Sequence, residues 1–235
     1  MVKSLDQLRV LITGAANGIG HATATAFRDA GARVVGLDLK ASEDPVPILV
    51  CDLRREEHIV SAVGAAVKQL GGLDVVVNNA GILRESPVGT LTAEDIDQHF
   101  AVNVRGPMLV TREALPHLGE GSRIINLASE LAYLGRPNAS AYCASKAAVL
   151  ALTRCWAREF APGILVNAVA PGPTDTPLLD FASLTPEQQA METAHPLGRI
   201  GKPEEVAAAI LFLAGPGATL FTGQCLGANG GATMA

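Results

Sequence analysis

The stretch Leu8-Arg-Val-Leu-Ile-Thr-Gly-Ala-Ala-Asn-Gly-Ile-Gly20 decides how the chain folds. Its first half, Leu8–Thr13, is a Leu, Val and Ile run ending at a glycine-rich turn, the pattern of a strand buried on both faces. A helical pattern over His21–Ala30 follows, with Gly31 placed to close it. Ala32–Leu37 reads as the next strand. Strand, helix and strand within about 30 residues make a β-α-β unit, which favours a parallel sheet with a right-handed crossover.

The same alternation continues along the chain. Lys40–Pro47 is too short and too proline-rich for a helix, and Ile48–Cys51 reads as a strand. Arg54–Leu70 is amphipathic, with Ile59, Val60, Val63 and Val67 on its apolar face and Gly71-Gly72 as a stop. Leu73–Asn78 is a strand. Thr92 caps a helix with Glu94 and Asp95 in its first turn, and the helical region runs towards Leu118 with Pro107 disturbing it. Arg123–Ser129 reads as a strand, and Ser140–Phe160 as a long helix apolar on most of its circumference, buried in the core or at a subunit contact. Ile164–Ala170 is a strand ending in Pro171-Gly172, Pro203 opens a helix to Leu213, and Gln224–Ala228 is a candidate last strand. The expected fold is α/β: one doubly wound parallel sheet of the Rossmann type spanning residues 1–235, with helices on both faces.

Composition bounds the function. With 49% hydrophobic and 17% charged residues the chain can build a large core, which argues against disorder. A net charge of −5 argues against general nucleic-acid binding. Cys51, Cys143, Cys155 and Cys225 form no CxxC pair and read as small buried apolar residues in a reducing compartment. The five histidines show no metal-ligand spacing, so no metal is expected. No leader pattern or membrane-length apolar run is present, and a cytoplasmic location is expected.

The glycine turn points to a dinucleotide. Glycines between a first strand and a first helix let the backbone approach a pyrophosphate, whose charge the helix N-terminus meets. Gly14 and Gly18 make the tight turn, and Gly20 lets the helix pack on the strand. Asp38 ends the second strand about 20 residues further on, where an acid bonds a ribose 2′-hydroxyl and repels a 2′-phosphate. The glycine turn holds no Arg or Lys to receive that phosphate, so the expected cofactor is NAD. Asp52-Leu53 and Asn78-Asn-Ala-Gly81 follow the third and fourth strands and lie at the same sheet edge. For Asn78 a turn-stabilising amide is at least as good a reading as a ligand contact.

Tyr142 and Lys146, four apart on a helix, project from one face. A free phenol has a pKa near 10, and a neighbouring ammonium favours its phenolate. Tyr142 then exchanges a proton with an alcohol as hydride moves to or from NAD, while Ser129, at a strand end, hydrogen-bonds the substrate oxygen.

In TGAANGIG, Asp52, NNAG, Asn103, Ser129, YCASK and PGPTDT (Pro171–Thr176), the chain resembles the short-chain dehydrogenase/reductase family over nearly its whole length. The resemblance implies a catalytic tetrad of Asn103, Ser129, Tyr142 and Lys146, with Asn103 holding a water that links Lys146 to solvent. It implies cofactor contacts from Gly14, Asn17, Gly18, Ile19, Gly20, Asp38, Asp52, Leu53 and Asn79. Tyr142, Lys146, Pro171, Gly172, Thr174 and Thr176 complete that set, with Lys146 bonding the nicotinamide ribose and Thr176 near the carboxamide. Two departures stand out. The helix usual between the second and third strands is missing, which makes the adenine end more exposed. Glu130 follows Ser129 where the family often has a small residue; it reads as a residue near the substrate mouth or, more plainly, as a solvated loop carboxylate.

A substrate lid is expected over residues 177–200, and Leu178, Leu179, Phe181, Leu184 and Met191 give the pocket an apolar face. AGILR, FAVNV and PGxTDT are similar to the 2,3-dihydro-2,3-dihydroxybenzoate dehydrogenases, whose substrate carboxylate would suit Arg84, although a surface role for Arg84 is the plainer reading. Reduction of a 3-oxoacyl thioester is a neighbouring option. A catalytically idle NAD sensor or scaffold is the rival from another class, against which Ser129, Tyr142 and Lys146 all argue. Apolar surface on the Ser140 and Pro203 helices beyond what one subunit buries suggests a homotetramer.

Overall fold

The computed structural model describes residues 3–42 and 44–234. Its strands form one parallel sheet in the order β3-β2-β1-β4-β5-β6-β7. The first unit is β1 (Arg9–Thr13), α1 (Gly18–Asp29) and β2 (Arg33–Asp38). β3 (Ile48–Val50), α2 (Glu56–Leu70) and β4 (Leu73–Asn78) follow. α3 (Ala93–Phe100) runs through a π-helical turn at Ala101–Arg105 into α4 (Gly106–Ala114). β5 (Leu118–Leu127), α5 (Leu131–Leu134), α6 (Ser140–Glu159) and β6 (Ile164–Val169) come next, and α7 (Pro186–Glu192), α8 (Pro203–Ala214) and β7 (Cys225–Leu226) complete the chain.

Strand side chains alternate between the two faces, as their period of two requires. Val10, Ile12, Val75 and Val77 pack with Phe27 of α1 and Ile210 and Leu213 of α8. Leu11, Val35 and Val76 pack on the other face with Ile59 and Val63 of α2, Val110 of α4 and Trp156 of α6. Every strand is parallel, so all carboxyl ends meet at one edge. The order reverses between β1 and β4, the topological switch point where open α/β sheets hold ligands.

Several local expectations change. Val60 is 44% exposed, and the buried stripe of α2 is Ile59, Ala62, Val63, Ala66 and Leu70. β5 stops at Leu127, so Ser129 lies beyond the strand, and the short helix α5 begins just after it. Within one chain α6 is buried along one face, while Ala144, Ala147 and Ala151 on the other face are exposed. Cys155 is exposed, unlike the buried Cys51, and Cys143 and Cys225 are half-buried. The short crossover over 40–47 has no helix, although Glu43 within it lies outside the described residues, as do Met1, Val2 and Ala235 of the expected 1–235 domain. Among the described residues no helix is long and apolar enough to cross a membrane.

Two glycines fix how α1 meets the sheet. Gly14 sits at φ +68°, which a residue with a Cβ adopts only at a cost. A Cβ on Gly20 would lie 1.9 Å from the Gly14 carbonyl oxygen and 2.5 Å from Asn79 Nδ2. Gly20→Ala should therefore cost about 3 kcal/mol, the upper range for overpacking, and lower the Tm by about 6–12 °C. Cofactor affinity should fall with it, because the helix must lift from the turn; calorimetry with a cofactor titration reads both.

Candidate active site

The carboxyl edge of the sheet opens into a cavity of about 460 Å³ running from Asp38 and Asp52 at one end to Arg84, Arg136 and Glu192 at the other. Of the expected cofactor contacts, all but Gly20 line this cavity. Gly20 instead packs α1 against the turn.

The first turn of α1 is suited to an anion. Its N-cap, Asn17, makes no side-chain capping bond, and the turn contains no acidic residue, so its N–H groups remain free of such competition. Gly18 (φ +55°) lies against Thr176, whose methyl would be 3.1 Å from a Cβ placed there, so the loop after β6 folds over the glycine turn. Asn79 ties the loop after β4 to the same turn, donating from Nδ2 to the Thr13 carbonyl at 2.9 Å and the Gly14 carbonyl at 3.1 Å. Thr13, which the sequence reading passed over, accepts at its hydroxyl from Asn79 N and Ala80 N, both at 3.1 Å. Asn78 faces the sheet rather than the cavity; it donates to Asn126 Oδ1 at 2.9 Å and Thr111 Oγ1 at 3.1 Å. Asp38 accepts from Ala16 N at 3.0 Å and Leu39 N at 2.7 Å, which holds its carboxylate beside the turn. Asp52 is paired with Arg54 at 2.6 Å, and that hydrogen bond, opposed by desolvation, holds its carboxyl below the usual range. These residues fit a dinucleotide.

At the other end α6 brings Tyr142 and Lys146 to the cavity wall beside Ser129. Lys146 Nζ donates to the Leu127 carbonyl at 2.8 Å, which leaves two of its three N–H donors for other partners. The Ser129 hydroxyl accepts from Leu131 N at 3.2 Å and keeps its own proton to donate. Burial pushes the Tyr142 phenol up to about 12; a hydrogen bond with Ser129 and the charge of Arg136 oppose this, while Cys143 and Glu130 add to it. Burial also brings the Lys146 ammonium down to about 8. In the chain alone desolvation dominates the Tyr142 phenol, whose ring centroid lies 5.8 Å from Lys146 Nζ, against the expectation that the neighbouring ammonium favours its phenolate.

Asn103 stands behind this wall rather than on it. Its Oδ1 accepts from Ile82 N at 2.9 Å, and its Nδ2 donates to the Ile82 carbonyl and to Ser145 Oγ, both at 3.0 Å. Ser145 in turn donates to the Tyr142 carbonyl at 2.7 Å. The Asn103 backbone carbonyl is a different matter. It lies in the π-helical turn Ala101–Arg105, and Pro107, four residues on, has no N–H to offer it. The π-helical turn falls at this point, as such turns often do at functional sites.

Two expectations at the substrate end need correction. Glu130 is not a solvated loop carboxylate: it is only 6% exposed and lines the cavity. Of the apolar lid residues, Leu178 and Leu179 line the cavity, whereas Phe181, Leu184 and Met191 do not. Arg84 is exposed at the rim and its guanidinium is held by Gln98. Sequence reasoning missed Arg136 and Glu192, which form an ion pair between the loop before α6 and the lid helix α7. No local pattern announces a pair that only the folded lid brings together.

The family model described as "Enoyl-(Acyl carrier protein) reductase" matches residues 14–233. The chain is 40% identical to the 3-oxoacyl-[acyl-carrier-protein] reductase FabG of Thermotoga maritima, over 94% of this chain and 96% of the relative. It belongs to the short-chain dehydrogenase/reductase family. Its fold superposes on a 3-ketoacyl-(acyl-carrier-protein) reductase from Brucella melitensis with a TM-score of 0.91 at 34% identity, covering 98% of this chain and 100% of that one. The aldohexose dehydrogenase of Thermoplasma acidophilum gives a TM-score of 0.90, also at 34% identity, covering 97% and 95%. As a member of this family the chain is an oxidoreductase that interconverts an alcohol and a ketone with a nicotinamide cofactor.

The Lys146 ammonium is charged below about pH 8 and neutral above it. Since phenolate forms beside it whenever Tyr142 gives up its proton, kcat/KM for ketone reduction should stay level through neutral pH and decline as pH rises past about 8. A steady-state pH series measures this, and a profile still level at pH 10 would contradict the assignment.

Proposed function

We propose that the chain interconverts a secondary alcohol and its ketone with NAD(H), using Tyr142 as the group that gives and takes the proton. The observation carrying this reading is the meeting of Tyr142, Ser129 and Lys146 on one cavity wall that continues to an uncapped helix N-terminus. NAD(H), when bound, supplies or accepts the hydride. The Ser129 hydroxyl donates to the substrate oxygen and holds it against the phenol. In reduction Tyr142 gives that oxygen a proton, and a phenol with its pKa near 12 carries one at neutral pH. Lys146 stabilises the phenolate as it forms, and its two remaining donors suit a ribose hydroxyl and a relay water. The Asn103 carbonyl, without a donor from Pro107, is the acceptor for that water.

NAD(H) is proposed over NADP(H) because Asp38 lies at the glycine turn, where a 2′-phosphate would meet a carboxylate. Asp38→Ala should raise kcat/KM with NADP(H) by at least about tenfold, about 1.4 kcal/mol, and a cofactor pair that the native chain uses equally would overturn the preference. Tyr142→Phe should lower kcat by about 10²–10⁴-fold while leaving cofactor affinity nearly intact; retained turnover would remove Tyr142 from its role.

The Thermotoga relative supports a second reading within the class, reduction of a 3-oxoacyl thioester. The exposed alanine face of α6 and the exposed Phe212 of α8 support a homotetramer with two-fold contacts.

A further inference from the structure

Glu130 is a buried carboxyl that the chemistry above does not use. Its Oε2 is sequestered from solvent without any hydrogen-bond partner among the described residues. Buried polar atoms are rarely left in this state without a reason, because each loses its hydration and gains nothing. The backbone of Glu130 is satisfied: its N–H donates to the Pro171 carbonyl at 3.0 Å, and its carbonyl accepts from Tyr133 N at 2.9 Å. Only the carboxyl is left over, on a residue that lines the same cavity as Ser129 and Tyr142.

Its place along that cavity is well defined. Glu130 follows Ser129 in the chain, and its Oε2 would be 2.8 Å from a Cβ on Gly172, so it lies over backbone that only a glycine provides there. The Glu130 carboxylate raises the proton affinity of the Tyr142 phenol and the Arg136 guanidinium lowers it, and all three residues line the one cavity. Arg136 is itself engaged, paired with Glu192 and, at 3.4 Å, with Glu85. Glu130 and Glu192 line this end with Arg136 and the rim residue Arg84; with Arg136 taken up by Glu192, an anionic group beside Ser129 meets the unpaired Glu130 carboxyl.

Resting on the alcohol–ketone reading, we infer that Glu130 binds the substrate, accepting a hydrogen bond from a hydroxyl on the carbon beside the reacting one. The substrate class is thus an uncharged polyhydroxylated compound, a vicinal diol or sugar, and neither a carboxylate nor a plain acyl chain. Burial and the nearby Glu192 push the Glu130 carboxyl up to about 7, so near neutrality it both accepts and donates, as a hydroxyl partner also does.

The test compares trans-cyclohexane-1,2-diol, cyclohexanol and 3-hydroxycyclohexanecarboxylate as ligands of the full chain loaded with NADH, with Kd read by ligand-observed NMR. The native chain should bind the diol at least about tenfold more tightly than the mono-ol, and the carboxylate most weakly. In Glu130→Gln, which keeps the shape of the side chain, and in Glu130→Ala, the diol-to-mono-ol ratio should fall towards one. A native ratio near one, tighter binding of the carboxylate, no binding of either alcohol, or a ratio unchanged in both variants would overturn the inference. The alcohol–ketone reading has a separate readout, loss of turnover in Tyr142→Phe. Turnover of a 3-oxoacyl thioester with a diol ratio near one would leave that reading standing and sink this one.

Discussion

The approach of Gly20 to the carbonyl of Gly14 is the constraint on which the site depends. A Cβ there would lie 1.9 Å from the carbonyl oxygen, so α1 can leave the edge of β1 only in this orientation and only with glycine at this position. The helix N-terminus then points along the carboxyl edge of the sheet. The loops after β4 and β6 are built against the same turn, through Asn79 on the Thr13 and Gly14 carbonyls and through Thr176 against Gly18. One steric condition near the N-terminus thereby sets the relation of three loops far apart in sequence. Gly36 extends the condition to β2, since a Cβ on it would be 2.6 Å from the Ala15 side chain.

The proton-transfer end depends on a different interaction, the chain of bonds from Ile82 through Asn103 and Ser145 to the Tyr142 carbonyl. It locks the NNAG loop, the π-helical turn and α6 together, so the phenol and ammonium are buried in fixed positions. Burial penalises both charged forms, and the result is a phenol near 12 and an ammonium near 8. The two groups move apart in the sense that keeps the proton on tyrosine and brings lysine close to losing its own. A phenol of this kind holds its proton at neutral pH, and the lysine beside it is still charged there.

How much of this was legible in sequence depends on how local each cause is. β4 is read residue for residue, because an apolar run bounded by Gly72 and an asparagine pair has no competing pattern. Thr92 is read as a cap because its partner Asp95 is three residues away. The end of β5 was overrun because Ala128 continues the apolar composition while the ladder has already stopped at Leu127. Val60 was misplaced because apolarity alone put it on the core stripe, whereas the actual stripe uses Ala62 and Ala66, small residues that let α2 lie close to the sheet. That Tyr142, Lys146 and Ser129 share one cavity wall is legible from their places in the alternation, but the size and sign of the phenol's shift are not, because desolvation is a property of the assembled cavity.

Glu130 shows where composition and topology give opposite answers. Judged by residue type, a glutamate in a loop belongs in water. Judged by position, the residue after Ser129 stands at the carboxyl end of a central strand, where every loop of a parallel sheet converges on the ligand site. The short helix α5 begins immediately afterwards and carries the chain away, so nothing local lets the side chain reach solvent. Helix α7 lies on the remaining side, held by the ion pair of its Glu192 with Arg136. Topology wins over side-chain polarity here because the backbone path is fixed by β5, α5 and the Pro171 carbonyl before the carboxyl has any choice of environment. A polar residue at such a point keeps its burial cost until a partner arrives, and in an active-site cavity the partner that arrives is the substrate.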